Sequence, residues 1–460
     1  MSYRAFGCKV ALVIGGGVSA TGGVAASQAA SVSPTSNEGE YIVVFKDGTA
    51  GPDGAAARHS QKYGVEREHL YRHALKGYSA KVPRNKISAL EADPAVLFVA
   101  PNIAFTAPPP RGTIRCEGLT TPEQCLPDGI NRVDGDLSST RSGDGRGSVS
   151  GVNVAVIDSG IDIDHADLNV AGGADCSDGK RGVRPGLGYD DALGHGTFVA
   201  GVVGARDNAI GVVGVAPDVR LWAVGVAAKK GPTLKNILCG VDWVTSTRMD
   251  SDPTNDVAVA NISIGAGGRD DGACGASAKD ALHVAICRSV AAGVTYAVSA
   301  GNDGVDIARQ IPAAYDEVLA VTAMADFNGV PGGGEPAECW GEDFSAFAAD
   351  DEAATFSNFA TLPEDRQHTI AAPGVCIDST VPGGYSVADG TSFSSPHVAG
   401  MAALCIATKK CSGSPAQIME TLITDAATYN NANSTYGFVG DPLRPVGSQY
   451  FGYLVRAAQY

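Results

Sequence analysis

Beyond the first few dozen residues no stretch is apolar for long enough to span a bilayer, which removes a membrane-spanning architecture. No two cysteines are spaced Cys-x-x-Cys, so a zinc ribbon or a dithiol redox motif is not expected. His-Glu-x-x-His and Gly-x-Ser-x-Gly are both absent, against a zinc hydrolase and against an α/β-hydrolase. Positive charge is scarce: 34 lysines and arginines face 50 aspartates and glutamates, for a net charge of −16 and a pI near 4.9. Such a surface repels phosphate backbones and anionic lipid, so neither nucleic acid nor a membrane is an expected partner.

The chain has 460 residues, room for one large core plus a smaller domain, and its 59 glycines imply many tight turns. Arg4 and Lys9 precede the apolar run Val10-Ala11-Leu12-Val13-Ile14, and Val24-Ala25-Ala26 suits a cleavage site, so residues 1–26 read as a secretory signal peptide. The same region spells Gly15-x-Gly17-x-x-Ala20, but neither the helix nor the second strand of a dinucleotide fold follows. If Cys8 leaves with the signal, ten of the eleven cysteines remain, an even number fitting an oxidised, secreted protein. Cys116/Cys125, Cys274/Cys287 and Cys405/Cys411 are close enough in sequence to bridge, though spacing leaves the connectivity open.

Residues 27–39 are small and polar, a linker. From Glu40 to residue 106 the pattern runs strand (Tyr41–Phe45), helix (52–64), strand (Leu70-Tyr71), strand (Gly77–Val82), helix (from Ile87) and strand (Val96–Val99). That order is the split βαβ arrangement, a small ferredoxin-like α+β unit. Pro108-Pro109-Pro110 lies in an exposed joint, 107–127. Strands at 152–157, 219–226, 257–264, 294–299 and 317–323 then alternate with helices at 195–205, 233–248, 278–292 and from Ser392. Such alternation predicts an α/β domain, a parallel sheet sandwiched by helices. The Gly-rich, acidic stretch 326–356 reads as a surface insertion, and the tail beyond about 430 has aromatic residues but no strong period.

In parallel sheets chemistry collects at the carboxyl ends of strands. Asp158 closes one strand, Asn302 follows another, and His195 opens a helix. Ser392 follows Gly390-Thr391 at the start of a further helix, where free N–H groups favour developing negative charge. Pro396 is expected in or just after that helix's first turn, where a missing N–H does least harm. A serine hydroxyl needs a base, and the base needs a carboxylate to hold its tautomer. Asp158, His195 and Ser392 supply those types, and Asn302 with the Ser392 N–H would supply oxyanion donors. Each alone has a plainer reading, as turn, cap or structural residue. His59, His69, His73, His283 and His368 read as lacking partners, and His397 as facing a packed helix.

Four contexts occur together: Val154-Ala155-Val156-Ile157-Asp158-Ser159-Gly160, Gly194-His195-Gly196-Thr197-Phe198-Val199-Ala200-Gly201, Ser299-Ala300-Gly301-Asn302 and Gly390-Thr391-Ser392-Phe393-Ser394-Ser395-Pro396-His397-Val398-Ala399-Gly400. They resemble the subtilisin-like serine proteases, nearer the secreted subtilisin/proteinase K branch than the proprotein convertases. The resemblance implies an endopeptidase acting through an acyl-enzyme on Ser392, with His195 as base then acid, Asp158 orienting it and Asn302 holding the oxyanion. It makes 40–106 an inhibitory pro-domain, an intramolecular inhibitor cut off by the enzyme itself near Ala104 to Pro110, and 107–460 the peptidase domain with a C-terminal extension. It places a structural Ca²⁺ on the side chains of Gln124, Asp167 and Asn208 and the carbonyls of Arg206, Ile210 and Val212, with no organic cofactor. Ser263-Ile264-Gly265 would pair with the backbone of protein or peptide substrates, and Ser299-Ala300-Gly301 would line the primary pocket. Small walls without a visible buried acid suggest large apolar or broadly tolerated side chains there. A monomer is expected. Of the sequons at Asn261 and Asn433, the first falls in a core strand. A catalytically silent binding protein on the same scaffold is the rival reading.

Overall fold

The computed structural model describes residues 38–107, 124–177, 189–191, 193–228, 231–339 and 342–460. The expected signal peptide, the Pro108–Pro110 run and Cys116 lie outside them.

The N-terminal unit is an antiparallel sheet of β1 (Glu38–Phe45), β2 (Glu66–Tyr71), β3 (Gly77–Pro83) and β4 (Val96–Pro101) in the order β2-β3-β1-β4, with helices α1 (Pro52–Tyr63) and α2 (Ile87–Glu91). Alternate side chains of a strand face opposite ways, and from Ile42 to Phe45 of β1 both sets are buried. Val43 and Phe45 pack with Ala55, Ala56 and Leu90 of the helices. Ile42 and Val44 point the other way, into a cluster with Leu238 and Val241 and with Leu282 and Ile286 of the larger domain. That is why Tyr41–Phe45 reads as a continuous apolar run although its sheet is antiparallel.

The larger domain is built on β5 (Asn153–Asp158), β6 (Val170–Asp175), β7 (Arg220–Gly225), β8 (Val257–Ile262), β9 (Thr295–Ser299) and β10 (Leu319–Ala325), ordered β6-β7-β5-β8-β9-β10 and parallel throughout. The strand β11 (Thr369–Val375) adds to β10 in parallel, and the two-residue strand Glu352–Ala353 pairs with its end antiparallel. The chain leaves β5 for the far edge, returns through β7 and crosses to β8. Strand order therefore reverses at β5, the place where α/β sheets open a crevice beyond their strand ends. Helices α3 (His195–Gly204) and α6 (Thr391–Ala407) share one core with a face of the sheet. On the other face α4 (Leu234–Thr247) and α5 (Ala281–Ala291) lie between the sheet and the N-terminal unit.

Four disulfides tie the described residues: Cys176–Cys239, Cys274–Cys287, Cys339–Cys376 and Cys405–Cys411. Two of them are pairs the spacing suggested. Pro396 is the sixth residue of α6, deeper than expected. The chain beyond 430 is part of the fold. After the helix α7 (Pro415–Ala432), Tyr436, Phe438, Phe451, Leu454 and Tyr460 are buried in the same core as α3 and α6. Leu454 bridges to Ala371 of β11, and Tyr450 to Ala360.

Phe438 is fully buried. Truncating it to alanine is expected to lower unfolding free energy by about 3–5 kcal/mol, measured by denaturant titration in a Ser392→Ala background. A cost as small as that of trimming the exposed Val439 would mean that the tail is not part of the folding unit.

Candidate active site

Asp158 is the last residue of β5 and His195 the first of α3. Both are buried, and His195 Nδ1 lies 2.7 Å from Asp158 Oδ1. The same oxygen accepts the Ser159 N–H at 2.7 Å, so the carboxylate is held from its own turn. The approach needs glycine at 196: a Cβ there would stand 2.1 Å from the Gly160 carbonyl oxygen and 3.1 Å from Asp158 Cβ. Asp191, which sequence reading missed, holds the start of α3. Its Oδ1 accepts the N–H groups of Leu193 and Gly194, and its Oδ2 the N–H and hydroxyl of Thr197.

Ser392 lies in the first turn of α6, after Gly390 at φ 142°. That is a conformation for glycine, and a side chain there would press on the Asn302 amide 3.3 Å away. Pro396 has no N–H, so the Ser392 carbonyl lacks its helical donor. Ser263 Oγ donates to it at 2.7 Å, and Ser395 Oγ and Asn261 Nδ2 complete the group at 2.9 and 2.8 Å. Asn261 is fully buried. Ser392 Oγ donates to the Ser263 carbonyl at 3.2 Å. Among the described residues the buried His195 Nε2 has no hydrogen-bond partner, and its ring packs 5.4 Å from that of Phe393, the residue after the serine. Serine–histidine hydrogen bonds of this kind often tighten only with substrate present.

Asn302 follows β9. Its Oδ1 accepts both the N–H and the hydroxyl of Thr391 at 2.9 Å, which leaves Nδ2 to face the cavity it shares with Ser392. Ser263, Gly265, Ser299, Gly301 and Gln310 also line that cavity of about 240 Å³. Gln310 reaches between the two glycine walls, its Nε2 2.3 Å from where a Cβ on Gly265 would stand.

The N-terminal unit ends inside this cleft. Thr106 pairs antiparallel with Gly265, donating N–H to its carbonyl at 3.0 Å and accepting its N–H at 3.3 Å. On the other side Phe105 N–H donates to the Pro232 carbonyl at 3.0 Å, and Leu234 N–H to the Ile103 carbonyl at 2.9 Å. The segment is thus a strand held between two edges, with Ala107 beside the cavity that holds Ser392. The unit itself docks on α4, where the buried Asp242 carboxylate accepts the N–H groups of Arg72, His73 and Ala74.

The six residues expected to hold a cation also converge. Gln124 Nε2 donates to the carbonyls of Arg206, Val212 (2.9 Å) and Ile210 (3.4 Å). Asn208 Nδ2 donates to Asp167 Oδ1 at 2.8 Å, and the Val212 N–H to Asp167 Oδ2 at 3.1 Å. Burial pushes the Asp167 carboxyl up to about 6, against the pull of those hydrogen bonds.

A parallel sheet with a hydroxyl and a carboxylate-bound imidazole over its crevice, and an extended segment of the same chain laid through that crevice, defines a serine endopeptidase made together with its own inhibitor. The chain belongs to the subtilase family, whose pattern matches residues 149–439, and the peptidase inhibitor I9 pattern matches residues 40–107. It is similar to subtilisin NAT of Bacillus subtilis subsp. natto and subtilisin E of Bacillus subtilis (strain 168), each 32% identical over 412 residues, which are 88% of this chain and 89% of the relative. It is also 32% identical over 355 residues to alkaline elastase YaB of Bacillus sp. (strain YaB), 77% of this chain and 75% of that one. The protein is a serine endopeptidase made as a zymogen, with residues 40–107 as its intramolecular inhibitor.

Asp191→Ala should remove about 1–2 kcal/mol of stability, as loss of a helix cap does. It should also lower turnover more than substrate binding, because His195 sits on the turn that Asp191 holds. Unchanged turnover on a peptide substrate would rule out a positioning role.

Proposed function

We propose that Ser392 is the nucleophile, that His195 accepts its proton and returns it to the leaving amine, and that Asp158 holds the Nδ1–H tautomer and steadies the imidazolium. The 2.7 Å contact between the two buried side chains supports this reading more directly than any other observation. The Asn302 amide and the Ser392 N–H, in the first turn of α6, would donate to the oxyanion, adding charge stabilisation where water is excluded. Gly265 would pair with the substrate backbone as it does with Thr106, with Ser263 and Ile264 continuing that edge. Ser299, Ala300 and Gly301 would form the facing wall. The described lining holds no buried carboxylate, so an uncharged side chain suits the pocket, with Gln310 limiting its depth. The maturation cut would fall on the C-terminal side of Ala107, which separates the pro-domain from the peptidase domain. Secretion is the setting that fits the four disulfides and the basic-then-apolar N-terminus.

The cation site belongs to the same reading. One buried carboxylate and three carbonyls present oxygens suited to a hard ion. The Gln124 and Asn208 amides would turn their oxygens toward it in place of the N–H groups that now face those acceptors. A cation there would offset the burial cost of Asp167. Calcium held by Gln124, Asp167, Arg206, Asn208, Ile210 and Val212 would stiffen the 206–212 loop. It would take no part in peptide hydrolysis.

Labelling of the mature enzyme by a fluorophosphonate probe is expected, and Ser392→Ala should abolish it; labelling that persists would put the nucleophile elsewhere. Asn302→Ala should lower kcat by about 10²–10³ with KM little changed, and equal kcat would remove Asn302 from the oxyanion site.

Chelation of calcium should lower the thermal midpoint and speed self-digestion. Calcium at about 100 times its Kd contributes about 2.7 kcal/mol, and a midpoint indifferent to the chelator would count against the site.

A further inference from the structure

His283, in the first turn of α5, is 1% exposed and lies flat against the Tyr315 ring at 4.1 Å. Its Nε2 is 2.9 Å from Glu317 Oε2. Its Nδ1 has no hydrogen-bond partner among the described residues, yet it lies near two carboxylates, Asp271 Oδ1 at 3.5 Å and Asp270 Oδ1 at 3.6 Å. Those separations are long for hydrogen bonds. They are close to the edge of roughly 3.3–3.5 Å between ligands set tetrahedrally about an ion with bonds of about 2.0–2.1 Å. The remaining contact has the form of a metal histidine's outer partner, a carboxylate on the far ring nitrogen that fixes the tautomer.

The acids are held in place by the loop itself. Asp271 accepts the N–H groups of Ala273, Gly275, Ser277 and Ala278, and Asp270 those of Gly272 and Asp316. Cys274 and Cys287 stand beside the cluster but are bonded to each other, so they offer no thiolate. Side-chain exposures of 19% for Asp270 and 7% for Asp271 leave one open side for water.

We propose that Asp270, Asp271 and His283 bind a divalent transition-metal cation of the zinc class, with Glu317 orienting the histidine and water completing the shell. An imidazole among the donors favours such a metal over calcium and sets this site apart from the all-oxygen set at Asp167. The ion would pin the 268–280 loop to α5 and to the 315–317 turn. That loop also carries Lys279, paired with Glu91 of the inhibitor at 3.0 Å, so the metal would stiffen one edge of the inhibitor's seat.

The test uses the full chain as Ser392→Ala, saturated with calcium, titrated calorimetrically with Zn²⁺ alone and spectroscopically with Co²⁺. One equivalent of Zn²⁺ should bind at micromolar Kd or tighter, Co²⁺ should give the intense visible bands of a tetrahedral site, and the thermal midpoint should rise. His283→Gln and Asp270→Asn should each weaken binding at least about 10-fold, and Glu317→Gln by about 10–100-fold. No saturable binding up to about 100 µM Zn²⁺, or binding that survives both His283→Gln and Asp270→Asn, overturns the proposal. So does binding lost instead with His368→Gln, from the neighbouring Asp316, Asp365 and His368 group. Should His283→Gln fail to fold, Asp270→Asn decides: its Oδ1 can still accept the Gly272 N–H, and unweakened binding in it sinks the assignment.

Discussion

The carbonyl of Ser392 has no donor within its own helix, because Pro396 has no N–H to give. In a helix buried from Thr391 to Cys405, an orphaned carbonyl would cost about 1–3 kcal/mol. Ser263 resolves this from the end of a different strand, and its hydroxyl is in turn held by Asn261 and Ser395. One proline thus obliges the end of β8, the edge that pairs with Thr106, to stay in register with the first turn of α6. The cleft's backbone edge and its serine are positioned by a single hydrogen-bonded group, and α6 passes the same constraint to β9 through Thr391 and Asn302.

The inhibitor unit exploits the cleft at two levels. Its last residues extend the enzyme's own strand edge, a backbone match that any extended peptide could make. Its sheet face, by contrast, is specific to α4 and α5: Ile42, Val44, Tyr71 and Phe98 share a continuous apolar cluster with those helices. Around it basic residues of the enzyme meet acids of the inhibitor, Lys235 with Glu40 and Glu68 and Lys279 with Glu91. The exposed Lys279–Glu91 pair adds little affinity, Lys235 and Glu68 are largely shielded from solvent, and together the pairs set orientation against an otherwise acidic enzyme. Asp242 differs because it is buried and bonded to three successive N–H groups, so it fixes the β2–β3 turn with geometry rather than net charge.

How legible this was depends on the distance over which each signal acts. The order of the inhibitor's elements, the parallel strands and the four contexts around Asp158, His195, Asn302 and Ser392 are local patterns, and they could be read directly. β6, β11, α7 and the tail escaped because their residues are buried by partners far away in the chain. Tyr436, Phe438 and Leu454 need no period of their own when α6 supplies the surface. The same holds for side chains whose work is relational. Asp191, Thr391, Asp242 and Gln310 carry no motif, and each is identified by what it touches. His59 and His283 read as partnerless in sequence, yet His59 meets Tyr78 and Asp93, and His283 meets Glu317.

Segment 326–356 shows why composition misleads about attachment. It is Gly-rich and acidic, as surface loops are, yet three of its acids, Asp326, Asp350 and Asp351, are buried. Arg132, fully buried, is paired with Asp351 at 2.6 Å and Asp326 at 3.0 Å, and it also donates to the carbonyls of Tyr436 and Gly437 in the tail. One guanidinium cannot neutralise two buried carboxylates, and burial accordingly drives the Asp326 carboxyl upward despite Arg132 beside it. A pair so enclosed is weak evidence of stabilisation, because desolvating the charges offsets most of their attraction. Its value lies in exclusivity. The same arginine grips the insertion and the tail, so neither can shift without stranding a buried charge, and Cys339–Cys376 closes the insertion from its other side. What looks like an appendage in the amino-acid letters is locked to the core by the polar residues that made it look detachable.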